Sequence, residues 1–319
     1  MGRFKIFLGR TTGRFGLTRI ALLTVSMIGG LGILSSLAFT SRKPFIIYGE
    51  DNRLDLYQIS DSAILQLADS TVGMVRNSSM KETGPDQIEV HAKPFGVEFD
   101  LCKDETFYSQ PSPSMCSGFL VGEDLVATAG HCIVGNEDCA KHSFVFGLNM
   151  KDAENPVTTV SASEVYKCKK IVKREQTEDQ DYALIQLDRP VVGHKFLKLS
   201  ESAPVMHDPI FVVGHPSGLP TKVGGGAHVR STTDAYFVSN LDTYGGNSGS
   251  AVFNAVTLEV VGILVRGDQD FGWNSTKGCT ESVFCPDDGC RGEDSTHISY
   301  IRAALSKHSS DLANQPNGQ

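Results

Sequence analysis

The stretch TYGGNSGSAVF, Thr243 to Phe253, sets one serine, Ser248, among glycines and small residues and then runs straight into an apolar strand. Two readings compete. A loose turn uses glycine for flexibility. A nucleophile needs neighbouring backbone N–H groups turned towards a reacting carbonyl, with no Cβ in the way. The runs around it share the character of its strand. CSGFLV (116–121), DLVATA (124–129), SFVFGL (143–148), YALIQL (182–187), IFVVGH (210–215), AYFVSN (235–240) and VVGILVRG (260–267) are short and β-rich, with Gly, Asp and Asn clusters between them. Such regular short strands predict an all-β sandwich or barrel. One convincing helix follows: in HISYIRAALSKH (297–308), Ile298, Ile301 and Leu305 fall at i, i+3 and i+7. Residues 77–115 read as irregular, no segment repeats, and 310–319 reads as a disordered tail.

The 319 residues suffice for about two domains, and 40% apolar with 21% charged residues is ordinary for a globular chain. Residues 1–42 carry Arg3, Lys5, Arg10, Arg14, Arg19 and Arg42 and no acid, and Ile20 to Thr40 is uncharged. A basic start before an apolar run marks a signal peptide or a membrane anchor through residues 20–40. Cleavage is favoured, because Gly29, Gly30 and Gly32 weaken a stable span and Ser36-Leu37-Ala38 offers small residues to a peptidase. The chain is therefore expected to be secreted or periplasmic, or else membrane-anchored. Without those six charges the formal net charge goes from −8 to −14 (−8 − 6). A body that acidic repels nucleic acid and anionic membrane. Eight cysteines in an exported chain read as disulfides. They lack the tight Cys-x-x-Cys or His spacing of a metal site, so neither metal nor cofactor is expected.

Three local words carry chemistry. VATAGHC puts His131 after one apolar strand, and DQDYALIQLD puts Asp181 at the start of another. GGNSGS holds Ser248. Alone, each is ordinarily structural: an exposed histidine, a turn aspartate, a glycine turn. Together they supply what a serine needs, namely a base within reach and a carboxylate to hold that base in the right tautomer. Asp179 is a nearby decoy, since only Asp181 leads directly into the strand.

In their order, TAGHC, DYALI and GGNSGS resemble the motifs of the trypsin/chymotrypsin family of serine proteases over about residues 100–305. IIYGEDNR and GGNSGS resemble the bacterial V8-like, glutamyl-endopeptidase-related branch. The resemblance implies two Greek-key six-stranded β-barrels with a C-terminal helix, preceded by the signal or anchor helix. It makes His131 the general base, Asp181 its orienting partner and Ser248 the nucleophile, with the N–H groups of Gly246 and Ser248 as oxyanion hole. It implies a Cys116–Cys132 staple on the histidine loop, and Cys139–Cys168 is expected as a second pair. Cys102, Cys279, Cys285 and Cys290 leave three pairings open. Asn247 stands where trypsin-type zymogens carry an aspartate, so their salt-bridge switch is expected to be absent.

By the same resemblance Asp242, six residues before Ser248, lies at the base of the specificity pocket and selects Arg or Lys at P1, the residue before the scissile bond. Thr243 fits either a basic or an acidic pocket. Glutamyl enzymes use a histidine on the following strand, and Leu264 stands there instead. Glu293 and Asp294 are further candidates for the pocket wall. Val265, Arg266 and Gly267 are expected to pair with the substrate backbone, and Arg266 to be a solvated charge.

The expected domains are a signal or anchor (1–42), an N-terminal segment or pro-region (43–85), a first barrel (86–195), and a second barrel with the helix (196–309), then the tail. The expected activity is serine endopeptidase action on protein or peptide substrates by a monomer, through an acyl-enzyme. Glutamyl or broad specificity, and a silent peptide-binding protein on the same fold, are the alternatives. A stress-type chaperone-protease would append further domains. A doubly wound esterase would need Gly-x-Ser-x-Gly and the order Ser, Asp, His.

Overall fold

The short apolar runs pair as antiparallel strands that close on themselves twice, which removes the exposed edges such strands would otherwise present. The structure is a computed structural model, and it describes residues 47–314. The expected signal or anchor lies outside the described residues. Among those residues, no helix is long and apolar enough to cross a membrane.

The first barrel consists of β1 (Thr71–Arg76), β2 (Ser114–Gly122), β3 (Leu125–Thr128), β4 (His142–Phe146), β5 (Val165–Gln176) and β6 (Asp181–Leu187). They are ordered β5-β6-β3-β2-β1-β4, and β4 closes onto β5. The second barrel consists of β7 (Pro209–Gly214), β8 (Lys222–Thr232), β9 (Tyr236–Ser239), β10 (Ala251–Asn254), β11 (Val260–Arg266) and β12 (Glu293–His297). Its order is β7-β10-β11-β12-β9-β8, and β8 returns to β7. A helix, α1 (Ser299–Ala313), follows. This is the two-barrel chymotrypsin-like architecture that the resemblance implied.

Phe119, Phe144, Phe146 and Leu184 fill the first barrel without exposure, and Phe211 stacks on Phe253 in the second with ring centroids 4.8 Å apart. Ile298, Ile301 and Ala304 of the helix are buried in the same apolar cluster. Tyr300 stacks on Tyr182 of β6 at 5.4 Å, so the helix that follows the second barrel packs on the first.

Three boundaries differ from those expected. The first barrel takes β1 from within 43–85, and Arg53–Asp55 of the same stretch pairs with Lys222–Gly224 of β8. Much of that segment is thus built into the two barrels. Residues 77–115 hold a hairpin, Met80–Gly84 with Gln87–Val90, and a helical turn at Phe95–Glu98. Helix α1 runs on to Ala313, past the expected start of the tail at 310.

The disulfides are Cys116–Cys132 and Cys139–Cys168, as expected, together with Cys102–Cys279 and Cys285–Cys290. Cys102–Cys279 joins the 91–113 loop to the hairpin after β11. Phe95 and Phe99 pack there against Phe271, and Phe95 against Tyr244, at centroid distances of 5.5 to 6.2 Å.

Candidate active site

Register brings the first two candidates together. Ala183 of β6 is opposite Thr128 of β3, and the antiparallel ladder, continued two residues, sets Asp181 beside the Gly130–Cys132 turn. Asp181 Oδ1 accepts the His131 backbone N–H at 2.9 Å, and Oδ2 lies 2.7 Å from His131 Nδ1. Asp181 is buried, whereas the His131 side chain is 32% exposed and open to a substrate. With Nδ1–H donating to the carboxylate, Nε2 is left as the basic nitrogen. Arg174 Nε donates to the carbonyls of Gly130 and Ile133 at 2.8 Å each and braces the turn. Thr296 Oγ1 donates to the Asp181 carbonyl at 3.1 Å.

Ser117 fastens the Ser248 loop to this pair. Its N–H donates to Ser248 O at 2.8 Å and its Oγ to Gly246 O at 2.9 Å. Thr128 Oγ1 in turn donates to Ser117 O at 2.7 Å. Gly249 has φ +91°, and a Cβ there would strike Ser117 O and Thr128 Oγ1. The loop can lie this close to the first barrel only with glycine at that position. Sequence reasoning missed Ser117 and Thr296. Only the place of Ser117, directly after Cys116, pointed to it.

Gly246 also has a positive φ, +91°. Among the described residues, the N–H groups of Gly246 and Ser248 donate to no acceptor, while those of Asn247, Gly249 and Ser250 are all used. Ser248 Oγ forms no hydrogen bond among the described residues either. A hydrogen bond from such a serine to its histidine commonly tightens only when substrate binds. Asn247 is buried, and its Oδ1 accepts from Ser250 Oγ at 3.1 Å.

Next to Ser248 lies a cavity of about 90 Å³ lined by Thr243, Leu264, Arg266, Gly267, Asp268, Asp270 and Glu293, among others. Asp242 does not line it. Its two carboxylate oxygens accept the N–H groups of Tyr48 and Asn52 at 2.8 Å each, so it anchors the N-terminal segment. That corrects its placement at the pocket base. Burial pushes its carboxyl up to about 6 in spite of those bonds.

Of the acids that line the cavity, Glu293 is the buried one, 3% exposed. Its Oε2 accepts Thr243 Oγ1 at 2.5 Å, and its Oε1 is buried with no partner. A Cβ on Gly267 would run into that carboxylate. Desolvation, aided by the charge of Asp270, pushes the Glu293 carboxyl up to about 8. Arg266 is held rather than solvated: Nε lies 2.7 Å from Asp294 Oδ2, and Nη2 donates to Glu178 O at 2.6 Å. Val265 is buried, and beyond Leu264 the β10 side of β11 carries no strand.

Cys116, His131 and Cys132 place three potential metal-ligand atoms within 4.8 Å, but the two sulfurs are bonded to each other and offer no thiolate.

A family model for the trypsin-like peptidase domain matches residues 116–263. A glutamyl endopeptidase of Bacillus licheniformis is 28% identical over 43% of this chain. Snake venom serine protease 3 of Protobothrops jerdonii is 30% identical over 34% of it. The chain spans 45% and 41% of the lengths of these relatives. Among solved structures, a Glu endopeptidase in complex with MPD is 15% identical, with a TM-score of 0.49 over 82% of this chain and 100% of that one. Residues 116–263 thus match the trypsin-like peptidase domain, within a chain that folds as two closed six-stranded barrels.

Proposed function

We propose that the protein is an exported serine endopeptidase that cleaves after Arg or Lys. The observation that carries the catalytic part is the buried Asp181 carboxylate 2.7 Å from His131 Nδ1, in a cleft whose serine loop keeps two backbone N–H groups free. In this reading Ser248 Oγ attacks the scissile carbonyl as His131 Nε2 takes its proton. The developing oxyanion takes the N–H groups of Gly246 and Ser248. His131 then gives the proton to the leaving amine, and a water repeats the sequence on the acyl-enzyme. Asp181 holds the ring and stabilises the imidazolium.

The basic P1 preference rests on different residues from those first expected. Glu293 has an unpartnered buried oxygen at the cavity, Asp268 and Asp270 stand near it, and Arg266 is already committed to Asp294. A cation there satisfies the unpartnered Oε1 of Glu293, whereas a glutamate side chain would face three acids. Digestion of a peptide library, read by mass spectrometry with Ser248→Ala as control, tests both parts. Cleavage after Arg or Lys that the control lacks is expected. Cleavage only after Glu rejects the pocket reading, and cleavage by the control rejects the serine.

A further inference from the structure

We propose that Asp270 is a positioning residue that holds the Gly245–Gly246 peptide so that the Gly246 N–H faces the oxyanion; this rests on the serine endopeptidase reading above. A peptide unit is planar and trans, so the Gly245 carbonyl and the Gly246 N–H belong to one plane and point in opposite directions. Ser217 N–H donates to that carbonyl at 2.5 Å. The Gly246 N–H is thereby turned the other way. The flanking peptides are held as well: Gly246 O accepts Ser117 Oγ at 2.9 Å, and Tyr244 O accepts the Asn247 N–H at 3.0 Å. The hold contributed by a side chain just before the unit is on the preceding N–H: Gly245 donates to Asp270 Oδ2 at 2.6 Å.

Both holds are built at some cost. Ser217 has φ 48° and ψ 27°, a left-handed conformation that a serine takes against its preference, and its Oγ is buried without a partner. Asp270 is half-buried, and burial pushes its carboxyl up to about 6 although the Gly245 N–H pulls it down. The glycine pair needs the restraint, since glycine prefers neither orientation of such a peptide. Asp270 also lines both the 90 Å³ cavity and a groove of about 930 Å³ on the other side of Gly245. It is therefore common to the lining of both, and its acceptor reaches the loop from there.

Two variants separate positioning from charge. Asp270→Asn keeps an oxygen at the same reach and removes the charge. Asp270→Glu keeps the charge and displaces the acceptor by one methylene. With the best substrate from the library digest, Asp270→Glu is expected to lose about 30-fold or more in kcat with KM within threefold, as misdirecting an oxyanion donor does. Asp270→Asn is expected to lose at least tenfold less than that. Affinity for a peptide aldehyde, whose adduct carries the oxyanion, should fall with kcat, while affinity for a non-covalent amidine should not follow it. The reverse order of the two variants, equal kcat in both, or a loss confined to KM overturns the proposal. Labelling of wild-type Ser248 by a fluorophosphonate is scored separately. Absence of labelling refutes the peptidase reading itself, whereas labelling with the wrong variant order refutes Asp270 alone.

Discussion

Replacing Glu293 with Gln removes the charge on which the P1 reading depends and keeps the shape. The Glu293 carboxyl sits at about 8, so at pH 7 roughly one molecule in eleven carries the charge. A cationic ligand that needs the ionised form must expel that proton. Its association constant should therefore rise about 30-fold between pH 6.5 and 9, as the ionised fraction climbs from about 0.03 to about 0.9. Ion pairing at about 4 Å in a partly desolvated site is worth roughly 4 kcal/mol, enough to drive the release. Benzamidine stays cationic throughout that range. Titration calorimetry in buffers of different ionisation enthalpy should show close to one proton released per benzamidine bound at pH 7, and none in Glu293→Gln. The variant should bind at least 30-fold more weakly at pH 9, with no pH slope. Affinity independent of pH in the wild type, or an unchanged affinity in the variant, would refute the reasoning.

Ser248→Ala and Asp181→Asn should each lower kcat by about 10⁴-fold or more, and the double variant should lose little beyond the worse single, measured on the digest-derived peptide. Stability should also follow Glu293: its raised pKa favours folding below about 4.5, and the contribution is lost as pH rises to about 8. That loss is on the order of 5 kcal/mol, and thermal melts of Glu293→Gln should lack it. Cys102–Cys279 closes a span of 177 residues and Cys116–Cys132 one of 16. Chain-entropy reasoning gives about 5 and about 3 kcal/mol respectively, so denaturant melts of the paired Cys→Ser variants should rank in that order. His194, stacked on Phe146 between Asp69 and Glu164, is raised to about 9. It stabilises the fold fully below about 6.5 and loses this as pH rises through 9, and His194→Gln melts should be flatter over that window.

The fold and the pairing of His131 with Asp181 were legible because both are local. A strand announces itself by its own apolar run, and His131, Asp181 and Ser248 each sit in a short distinctive word. The specificity pocket was not legible in the same way. Counting six residues back from Ser248 fixes Asp242 along the chain, but the direction of its side chain was set by two N–H groups, of Tyr48 and Asn52, some 190 residues away in sequence. Glu293 faces the cavity because Gly267, on a neighbouring strand's end, leaves room for it. The 43–85 stretch looked detachable since its runs are short. Its strand Arg53–Asp55 is held by partners no window contains: Arg53 lies on the Tyr244 ring at 3.8 Å, and Asp55 pairs with the buried Lys222. The four late-pairing cysteines were undecidable for the same reason, as spacing does not say which loops meet.

The exchange of ends between the two barrels has a consequence for the order of assembly. The strand near residue 53 adds to β8 of the later barrel, and the helix at 299–313 packs on the earlier one. The earlier half therefore waits for a piece made at the end of synthesis. A nascent chain carries its histidine and aspartate long before the serine loop emerges, and even then Tyr182 lacks its covering Tyr300. Ser117, which ties one half to the other, finds its partners Gly246 and Ser248 only late. The two sides of the candidate site are thus joined only once the last strands and the helix are in place.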